Sequence, residues 1–483
     1  MDVAIVLLYL AAMIAFGFWG RMRARNQEDY LVAGRRLGPV LFTGTMAAVV
    51  LGGASTVGGV GLGYEFGLSG MWLVFCIGLG IVLLSLFFAP KIQRLEIYTV
   101  SQMLELRYGS GSRLVSGLIM TAYGLMISTT STVAYGTIFH ALLGIDRVPA
   151  ILLGGTVVIV YSMLGGMWSI TLTDFVQFII QTIGIFLILL PLVITEAGGF
   201  GAISAELGPT AFDPVAIGPE AILTYFLIYT LGLLIGQDIW QRVFTARTPG
   251  VARWGGLSAG IYCLLYAVAG ALVGTAAQVI VPGIEVSDDV FVAVVDSSMT
   301  PVLAGLVLAA ALSAVMSTSS GALLAASTVL RQDVVEPVLA SRGAPRNRIG
   351  SALRGGLVRE TGDEVRDSRL YLLSLGAVTI VLACIMPSVV EALTVAYNLL
   401  VCGLFVPILG GLVWRRGTII GVLAGMIVGA LTTIVIMVVA GIYANPAIYL
   451  GLLASAFAYV VGSLASRPTE PEILAAWRER IAR

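Results

Sequence analysis

The sequence predicts an all-α polytopic membrane protein with about thirteen transmembrane helices. Hydrophobic residues make up 58% of the 483-residue chain and charged residues only 11%, whereas an ordinary soluble domain carries about 25% charge. Apolar runs long enough to span a bilayer, roughly 17–25 residues each, recur along the whole chain. Lys and Arg residues fall almost entirely in alternate connections between these runs, as expected of a multi-pass protein.

The predicted spans follow one another with mostly short connections. Three of them exceed bilayer thickness, so we expect these to be tilted, broken or extended past the membrane. The thirteen spans are 2–20, 40–65, 69–89, 114–143, 148–165, 174–195, 217–235, 254–281, 300–329, 370–386, 390–413, 417–442 and 447–466.

The positive charges predict the orientation. With thirteen spans and the N-terminus outside, the cytoplasmic segments hold 26 of the 27 Lys and Arg residues, and only Arg147 falls outside. This pattern predicts a multi-pass protein of the cell membrane (inner or plasma membrane) with a cytoplasmic C-terminus. The first span begins with Asp2 and its arginines follow the apolar run, so it does not have the pattern of a cleaved signal peptide.

Other features of the composition argue against several functional classes. The four cysteines stand singly in apolar spans and His140 is the only histidine, so neither a transition-metal site nor a disulfide has the required spacing. Net charge is zero, and nothing predicts a nucleic-acid partner. The chain lacks paired carboxylates, histidines or nucleophile motifs, so we expect no enzyme activity, no catalytic residues and no organic cofactor.

Glycines interrupt the second and seventh spans. The second span carries Gly52 and Gly53, and the seventh carries Gly232 followed by Gly236. Glycine costs about 1 kcal/mol in a helix interior, so such clusters mark close packing or broken helices. Broken helices at matching positions of two halves indicate the binding site of a transporter. Five spans follow from each break, and an odd number of spans makes the two halves inverted.

The two repeats share a further feature, because the third span of each carries a hydroxyl cluster, Ser128–Thr132 in the first and Ser317–Ser320 in the second.

The two halves divide the chain into six parts. The parts are a first span with a cytoplasmic re-entry (1–39), the first inverted repeat (40–195), an extracellular loop (196–216), the second inverted repeat (217–413, including a charged cytoplasmic loop, 331–369), two C-terminal spans (414–466) and a cytoplasmic tail (467–483) with a short helix.

The hydroxyl cluster of the ninth span is a candidate cation site. Ala314, Ser317 and Thr318 stand at i, i+3 and i+4 and share one helical face. Two hydroxyl oxygens and a backbone carbonyl with a spare lone pair are neutral ligands that a small hard cation prefers. The alternative is a close helix–helix contact, since small and hydroxyl residues are common at such contacts in membranes.

Several motifs together resemble the sodium:solute symporter family, whose members carry sugars, proline, pantothenate, sialic acid and similar solutes. The resemblance covers essentially the whole chain, and it implies a LeuT-like core of two inverted five-helix repeats with flanking helices. The motifs are RNQEDYLVAGRRLGP (25–39), GGASTVGGVG (52–61), a Tyr-x-x-x-Gly-Gly…Thr-Asp-x-x-Gln pattern (161–177) and Gly236-Gln237…Gln241-Arg242 at the inner end of the seventh span.

The resemblance implies a common sodium site. Its ligands would be the backbone carbonyls of Ala54 and Val57 in the broken second span, the carbonyl of Ala314, and the hydroxyls of Ser317 and Thr318. Na⁺ is therefore the expected coupling ion and the only metal expected.

A second sodium is a further possibility that the resemblance raises. Its ligands would be Asp174, Ser317 and Ser320, but the family's last serine position is Gly321 here. This departure argues against a second ion. Asp174 has a rival role as an interfacial acid near a helix start, and the two roles stand about even.

Candidate substrate residues lie near the two breaks. Helix packing or interfacial anchoring explains each of them at least as well. Where the proline-transporting branch has an aspartate the chain has Thr56, and the aromatic positions before Gly-Gln are Thr230, Gly232 and Leu234. Neither proline nor a sugar is therefore supported. The candidates are Gly53, Ser55, Thr56, Trp72, Ser128, Thr129, Tyr229, Tyr397 and Asn398.

Together these observations predict a sodium-coupled symporter that carries a small organic solute into the cell by alternating access. Its expected partners are the solute, Na⁺ and the lipid bilayer, and no obligatory protein partner is evident. One alternative is a proton-coupled symporter. The argument against it is that we expect no carboxylate in the middle of the membrane near the site. Another is a membrane solute sensor on the same scaffold, for which the 17-residue tail leaves no room for a signalling domain.

Overall fold

The computed structural model describes residues 2–341 and 364–482, and within these ranges the chain forms helices and no β-strand. The helices are mostly long and apolar, and many of them are continued by short π-helical segments. The prediction of an all-α membrane fold is confirmed.

The first half of the chain contains ten α-helices. The connecting 3₁₀ turns are Ala33–Arg35 and Gly67–Met71, and the π-helical segments are Ala54–Gly58, Leu84–Phe88 and Thr182–Leu189. The helices are α1 (Asp2–Arg23), α2 (Gln27–Val32), α3 (Pro39–Val50), α4 (Gly59–Phe66), α5 (Trp72–Leu83), α6 (Ala89–Arg94), α7 (Val100–Tyr108), α8 (Gly111–Leu143), α9 (Arg147–Gln181) and α10 (Leu190–Glu196).

The second half continues in the same style. Its 3₁₀ turns are Pro209–Phe212 and Ser287–Asp289, and its π-helical segments are Phe226–Thr230, Leu330–Val335 and Val401–Phe405. The helices are α11 (Gly199–Leu207), α12 (Pro219–Tyr225), α13 (Leu231–Leu233), α14 (Gln237–Thr245), α15 (Pro249–Ile280), α16 (Val290–Ser298), α17 (Pro301–Val329), α18 (Glu336–Ser341), α19 (Glu364–Ile385), α20 (Val389–Leu400), α21 (Val406–Val413), α22 (Ile419–Ala440), α23 (Pro446–Ala465) and α24 (Pro471–Ala482).

The first predicted break lies where the glycine pair indicates it. α3 ends at Val50, Leu51 leaves the helical region at φ −93° and ψ 57°, and a π-helical turn begins at Ala54. A Cβ atom on Gly52 would lie 2.6 Å from Oγ1 of Thr318. The break is therefore pressed directly against α17, and only glycine fits there without displacing that side chain.

The second predicted break separates α13 from α14. The first helix ends at Leu233, Gly236 is extended at φ −62° and ψ 129°, and the two parts are bent by 43°. Trp240 donates its indole N–H to the carbonyl of Leu234 at 2.9 Å. This bond satisfies a backbone acceptor that the interruption leaves free.

Two other long helices fold back on themselves at glycines. Within α9, Gly166 has φ 56°, and Ser169 Oγ donates to the carbonyl of Tyr161 at 3.2 Å. Eight residues of straight helix would separate these positions by about 12 Å, so the chain reverses here. At Gly67, with φ 62°, the turn 67–71 likewise packs back against α4.

The number of membrane crossings follows from these features only in part. Among the described residues, ten helices are long and apolar enough to cross a membrane, or eleven if the bent pair around Gly236 counts as one span. Two of the ten contain the reversals at Gly67 and Gly166. Crossings can thus outnumber continuous helices, and the count of thirteen remains a prediction, as does the orientation of the termini.

The two hydroxyl clusters meet at the centre of the molecule. α8 packs along α17, and Ser128 Oγ lies 3.1 Å from Ser319 Oγ, while Thr132 Oγ1 lies 3.3 Å from the same atom. A Cβ on Gly124 would lie 2.9 Å from Cβ of Ala326. Small residues bring these two helices close, and hydroxyl contacts then join the third spans of the two repeats.

The predicted cytoplasmic segments are more helical than expected. The charged loop 331–369 continues the preceding helix as far as Ser341 and is helical again from Glu364, while residues 342–363 lie outside the described residues. The tail forms the predicted short helix, α24, and Trp477 on this helix is buried. The ends of this connection are therefore helical, and its cytoplasmic position stays a prediction.

We predict that Gly274→Ala destabilises the protein, because α4 and α15 touch through their backbones at this point. A Cβ atom there would collide with the carbonyl of Val60 and lie 2.6 Å from the amide nitrogen of Tyr64. We expect the free energy of unfolding to fall by about 1–3 kcal/mol, measured by thermal unfolding in detergent. The matched control is Gly201→Ala on α11, which meets no atom within 4 Å. Equal melting temperatures for the two variants would contradict this contact.

Candidate functional site

The break after α3 interrupts the i→i−4 hydrogen bonds at the end of that helix, so its last carbonyls lose helical donors, although the carbonyl of Ala48 still accepts the N–H of Leu51 at 3.3 Å. Side chains of α17 supply the donors. Ser317 Oγ donates to the carbonyl of Ala48 at 2.6 Å, and Thr318 Oγ1 donates to the carbonyl of Val49 at 2.6 Å. Two hydroxyls on one face of α17 therefore hold the interrupted helix in place.

This contact collects several neutral oxygen atoms in one buried place. The carbonyl of Ala314 belongs to it, since Ser317 Oγ also lies 3.2 Å from that oxygen. Such oxygens suit a small hard cation. Because a hydroxyl has both a proton and lone pairs, the same atoms can bridge the two helices directly or through a bound cation.

The remaining predicted sodium ligands lie just after the break. Ala54 and Val57 are buried in the π-helical turn 54–58. The α17 hydroxyls contact carbonyls of α3 rather than those of Ala54 and Val57. The roles of these two carbonyls therefore remain predictions, although the structure brings their segment to the predicted hydroxyl pair.

A small cavity lies beside the break. Its volume is about 20 Å³, enough for one group of the size of a water molecule. Ser55, on its wall, donates a hydrogen bond to the carbonyl of Val50 at 2.8 Å. The predicted site residues that line this cavity are Gly53, Ala54, Ser55, Thr318 and Tyr397.

Three of the other predicted substrate residues bond elsewhere. Thr56 Oγ1 lies 2.8 Å from the hydroxyl of Tyr266, and Trp72 donates its indole N–H to the carbonyl of Pro214 at 2.6 Å. Thr129 donates to a carbonyl of its own helix. None of the three lines the small cavity, and their contact with a solute remains a prediction.

The last three predicted substrate residues also contact neighbouring helices. Ser128 bonds to α17 through Ser319. Tyr229 shares a hydroxyl contact of 3.1 Å with Thr394, and its ring lies 5.5 Å from that of Tyr397. Asn398 is buried, and its Oδ1 has no hydrogen-bond partner among the residues described. None of the three is among the residues lining the cavity, and their contact with a solute remains a prediction.

Asp174 lies in a buried ion pair. Its Oδ2 accepts hydrogen bonds from Thr45 at 2.5 Å and from Arg242 at 3.2 Å, and both charged side chains are fully buried. A Cβ atom added at Gly321 would lie 2.8 Å from Arg242 Nη1, so any side chain at this position would displace the guanidinium. Ser320 donates to the carbonyl of Ser317 in its own helix at 3.0 Å and also contacts the hydroxyl of Tyr161 on α9. The cation next to Asp174 is thus a guanidinium.

The site contains a buried carboxylate besides Asp174 that was not predicted from the sequence. Asp238 lines the cavity, is only 3% exposed, and accepts a hydrogen bond from the hydroxyl of Tyr123 at 3.0 Å. The expectation that no carboxylate lies near the site is therefore wrong. The signal was its position, because Asp238 is the second residue of α14, directly after the predicted break, and such half-helix starts line binding sites in transporters.

Comparison with known proteins places the chain among membrane transporters. The model of the sodium:solute symporter family matches residues 30–429. The chain is 29% identical over 442 residues to the high-affinity proline transporter PutP of Bacillus subtilis, covering 88% of this chain and 89% of that protein. It is 25% identical to the osmoregulated proline transporter OpuE of Bacillus subtilis, with 98% and 95% covered. A sodium/proline symporter of Staphylococcus aureus is 28% identical, with 68% and 67% covered.

Solved structures with a similar fold are sodium-coupled or cation-coupled transporters. A Na⁺-coupled sialic acid symporter in a substrate-bound outward-open state superposes with a TM-score of 0.81 at 17% identity, covering 97% of this chain and 98% of that one. The nucleobase-cation-symport-1 transporter Mhp1 in a closed conformation gives a TM-score of 0.59 at 13% identity, with 93% and 98% covered. At these identities the matches concern the fold alone, and they confirm the predicted LeuT-like architecture.

We predict that Asp174→Asn is strongly destabilising, because it leaves the guanidinium of Arg242 buried without its counter-ion. Breaking one partner of such a pair costs about 3–5 kcal/mol. The double variant Asp174→Asn/Arg242→Gln removes both charges, and we expect it to be more stable than Asp174→Asn alone. Thermal unfolding of the two single variants and the double variant gives the coupling. Additive effects would show that the two side chains do not interact.

Proposed function

The chain belongs to the sodium:solute symporter family, and from this premise we propose that it carries a small organic solute into the cell together with Na⁺, by alternating access. The relatives found by sequence are transporters and not enzymes, as the sequence predicted. Transport, symport and a multi-pass membrane location follow from the family and from the apolar helices.

The contact between α17 and the end of α3 is the observation that carries the proposal. Two hydroxyls, on Ser317 and Thr318, each lie 2.6 Å from a carbonyl at the break. Hydroxyl and carbonyl oxygens from both repeats are gathered here, and to bind Na⁺ the two hydroxyls would exchange their hydrogen bonds to Ala48 and Val49 for contacts with the ion. We propose that Ala54, Val57, Ala314, Ser317 and Thr318 hold this ion.

Such an ion would connect solute binding to the movement of the repeats. The interrupted helix α3–α4 belongs to the first repeat and α17 to the second, so a cation between them stabilises one relative arrangement of the two. One Na⁺ entering across a membrane potential of about 100 mV releases about 2.3 kcal/mol. A tenfold concentration gradient adds about 1.4 kcal/mol, which together can concentrate a neutral solute by roughly two to three orders of magnitude.

We propose a single coupling Na⁺ in each cycle. The second site that the resemblance raised would use Asp174, Ser317 and Ser320, but Asp174 already pairs with the buried guanidinium of Arg242. A second cation beside a guanidinium would be repelled in a medium of low dielectric constant. Gly321 supplies no hydroxyl and is in contact with the same guanidinium, which supports the single-ion proposal.

The cellular setting that we propose follows from the distribution of basic residues. The protein lies in the cell membrane with its N-terminus outside and its C-terminus in the cytoplasm, since this arrangement puts 26 of 27 Lys and Arg residues inside. Its partners are the solute, Na⁺ and the lipid bilayer. The coupling ion is the only cofactor in this proposal.

Proton coupling is a second candidate because of Asp238. A carboxylate that lines the cavity at the start of α14 could take up and release a proton during the cycle. The hydroxyl and carbonyl contact at α17 favours Na⁺, since it offers ligands for a metal ion and no titratable group. The two candidates differ in the ion gradient that drives uptake.

We predict solute accumulation in proteoliposomes when Na⁺ is high outside and K⁺ replaces it inside, measured with a panel of radiolabelled solutes. The sodium gradient supplies the free energy, so equal sodium on both sides should abolish the accumulation. Uptake that ignores sodium and follows an inward proton gradient would establish the second candidate instead. Liposomes without protein control for leakage.

We predict that Ser317→Ala and Thr318→Ala each raise the sodium concentration needed for half-maximal uptake by about tenfold or more, because each removes an oxygen ligand of a charged group. Ser327→Ala is the matched control, since Ser327 is a buried hydroxyl on the same helix that bonds only to its own helix. Ser320→Ala tests the second ion site. A large effect of Ser320→Ala on sodium dependence would contradict the proposal of one ion.

A further inference from the structure

The charge of the small cavity comes from one side chain. Among the described residues that line it, Asp238 has the only carboxylate, and none is Lys, Arg or His. Asp238 is 97% buried by its neighbours, being only 3% exposed, and its Oδ1 is fixed by the hydroxyl of Tyr123 at 3.0 Å. The cavity therefore presents a positioned carboxylate in a place that water hardly reaches.

The surrounding charges do not balance this carboxylate. The nearest guanidinium on the same helix belongs to Arg242, one turn further along α14, and its ion pair is with Asp174. Two buried carboxylates thus share one buried guanidinium. The Tyr123 hydroxyl and the backbone N–H groups of Asp238 and Ile239 compensate Asp238 in part. The remaining net negative charge lies at Asp238, one turn from the guanidinium, so a cation is favoured there and not beside Arg242.

An aromatic wall stands beside the carboxylate. Tyr397 lines the cavity, and its ring forms T-shaped pairs with the rings of Tyr123 and Tyr229 at centroid distances of 5.5 Å each. A Cβ atom on Gly232 would lie 2.9 Å from Cε1 of Tyr397, so the absence of a side chain at this position leaves the space that the ring occupies. The faces of fixed tyrosine rings attract cations, organic ammonium groups in particular.

Resting on the proposed symport function, we infer that the transported solute carries a positively charged amine, and that its ammonium group is bound by Asp238 and the ring of Tyr397. The cavity of about 20 Å³ matches one ammonium group, which is close to water in size. The rest of the solute then lies along the interrupted helices when these move apart. The chemistry is common to organic cations and to zwitterions such as amino acids.

The sodium site and the amine site are neighbours, since Ala54 and Thr318, assigned to Na⁺, also line the cavity, but the groups that carry the binding differ. Na⁺ is assigned to neutral oxygens of the α17 contact, whereas the ammonium group is assigned to a carboxylate on α14. A change at Asp238 is therefore expected to weaken amine binding and to leave the sodium-dependent stabilisation of the protein intact. This separation makes the inference testable apart from the proposed function.

The test measures thermal stabilisation and uptake with defined probes at millimolar concentration. Ethanolamine and methylammonium are the cations, L-proline and glycine the zwitterions, myo-inositol the neutral solute and pyruvate the anion. K⁺ replaces Na⁺ in the controls, because an organic cation could itself bind at the amine site. The current per solute separates the classes, since a cation moves about two elementary charges with one Na⁺ and a zwitterion about one.

We expect at least one amine to stabilise the protein and to be carried, and myo-inositol and pyruvate to do neither. Asp238→Asn keeps an acceptor for the Tyr123 hydroxyl but loses the charge, so its affinity for the amine should fall by about 30-fold or more. Its stabilisation by Na⁺ should stay as in the unaltered protein, which shows that it is folded. Asp146→Asn, at an exposed acid with no cap hydrogen bond, should change neither property.

A second pair of variants tests the aromatic wall. Tyr397→Phe keeps the ring face and should retain amine binding, whereas Tyr397→Leu removes the face and should weaken it while stabilisation by Na⁺ persists. Equal affinities for Phe and Leu at this position would overturn the role of the ring.

The outcomes separate the two proposals. Carriage of myo-inositol or pyruvate, binding of none of the four amines, or unchanged amine affinity in Asp238→Asn would overturn the inference. Sodium-driven uptake of pyruvate would do so while the proposed symport function stands. Amine binding that depends on Asp238 but ignores Na⁺ would support the inference and overturn the sodium coupling.

Discussion

The absence of water in the hydrocarbon core is the constraint on which the rest of this structure depends. An interrupted helix in the membrane has free carbonyls, and these must find donors within the protein. At the end of α3 the donors are Ser317 and Thr318 on α17. Since the two helices belong to different repeats, satisfying the break also joins the repeats. A binding place for a cation follows, because donors and acceptors gathered for this purpose are the oxygens that Na⁺ requires.

The same constraint shapes the charged groups around the site. Arg242 is fully buried and has a guanidinium that cannot lose its charge. It is held by Asp174, and Gly321 leaves the space that it fills. This arrangement fixes the inner half of the second interrupted helix against α3 and α17. Asp238 begins that same half-helix and turns to the cavity, so a structural ion pair and a carboxylate available to a solute stand one turn apart.

The parts of the fold that were predicted correctly rest on local patterns. Apolar runs gave the long helices, and glycine clusters gave the interruptions near Gly53 and Gly236, because glycine costs about 1 kcal/mol in a helix interior and lets a neighbouring helix approach the backbone closely. The hydroxyl pair on α17 was found from its i, i+3 and i+4 spacing. Asp238 was missed because no local pattern distinguishes an acid that caps a helix start from one that faces a cavity. The helical ends of segment 331–369 were missed because their charges suggested a loop.

By itself the sequence determined the membrane class, the two interruptions, the hydroxyl face of α17 and, through its motifs, the family. Only the tertiary structure decided which carbonyls the hydroxyls of Ser317 and Thr318 meet, that Arg242 is the cation beside Asp174, and that Asp238 shares a cavity with Tyr397. The physical reason is distance along the chain. Periodicity and glycine content act over a few residues, whereas these contacts join helices tens to hundreds of residues apart, and helix packing selects them.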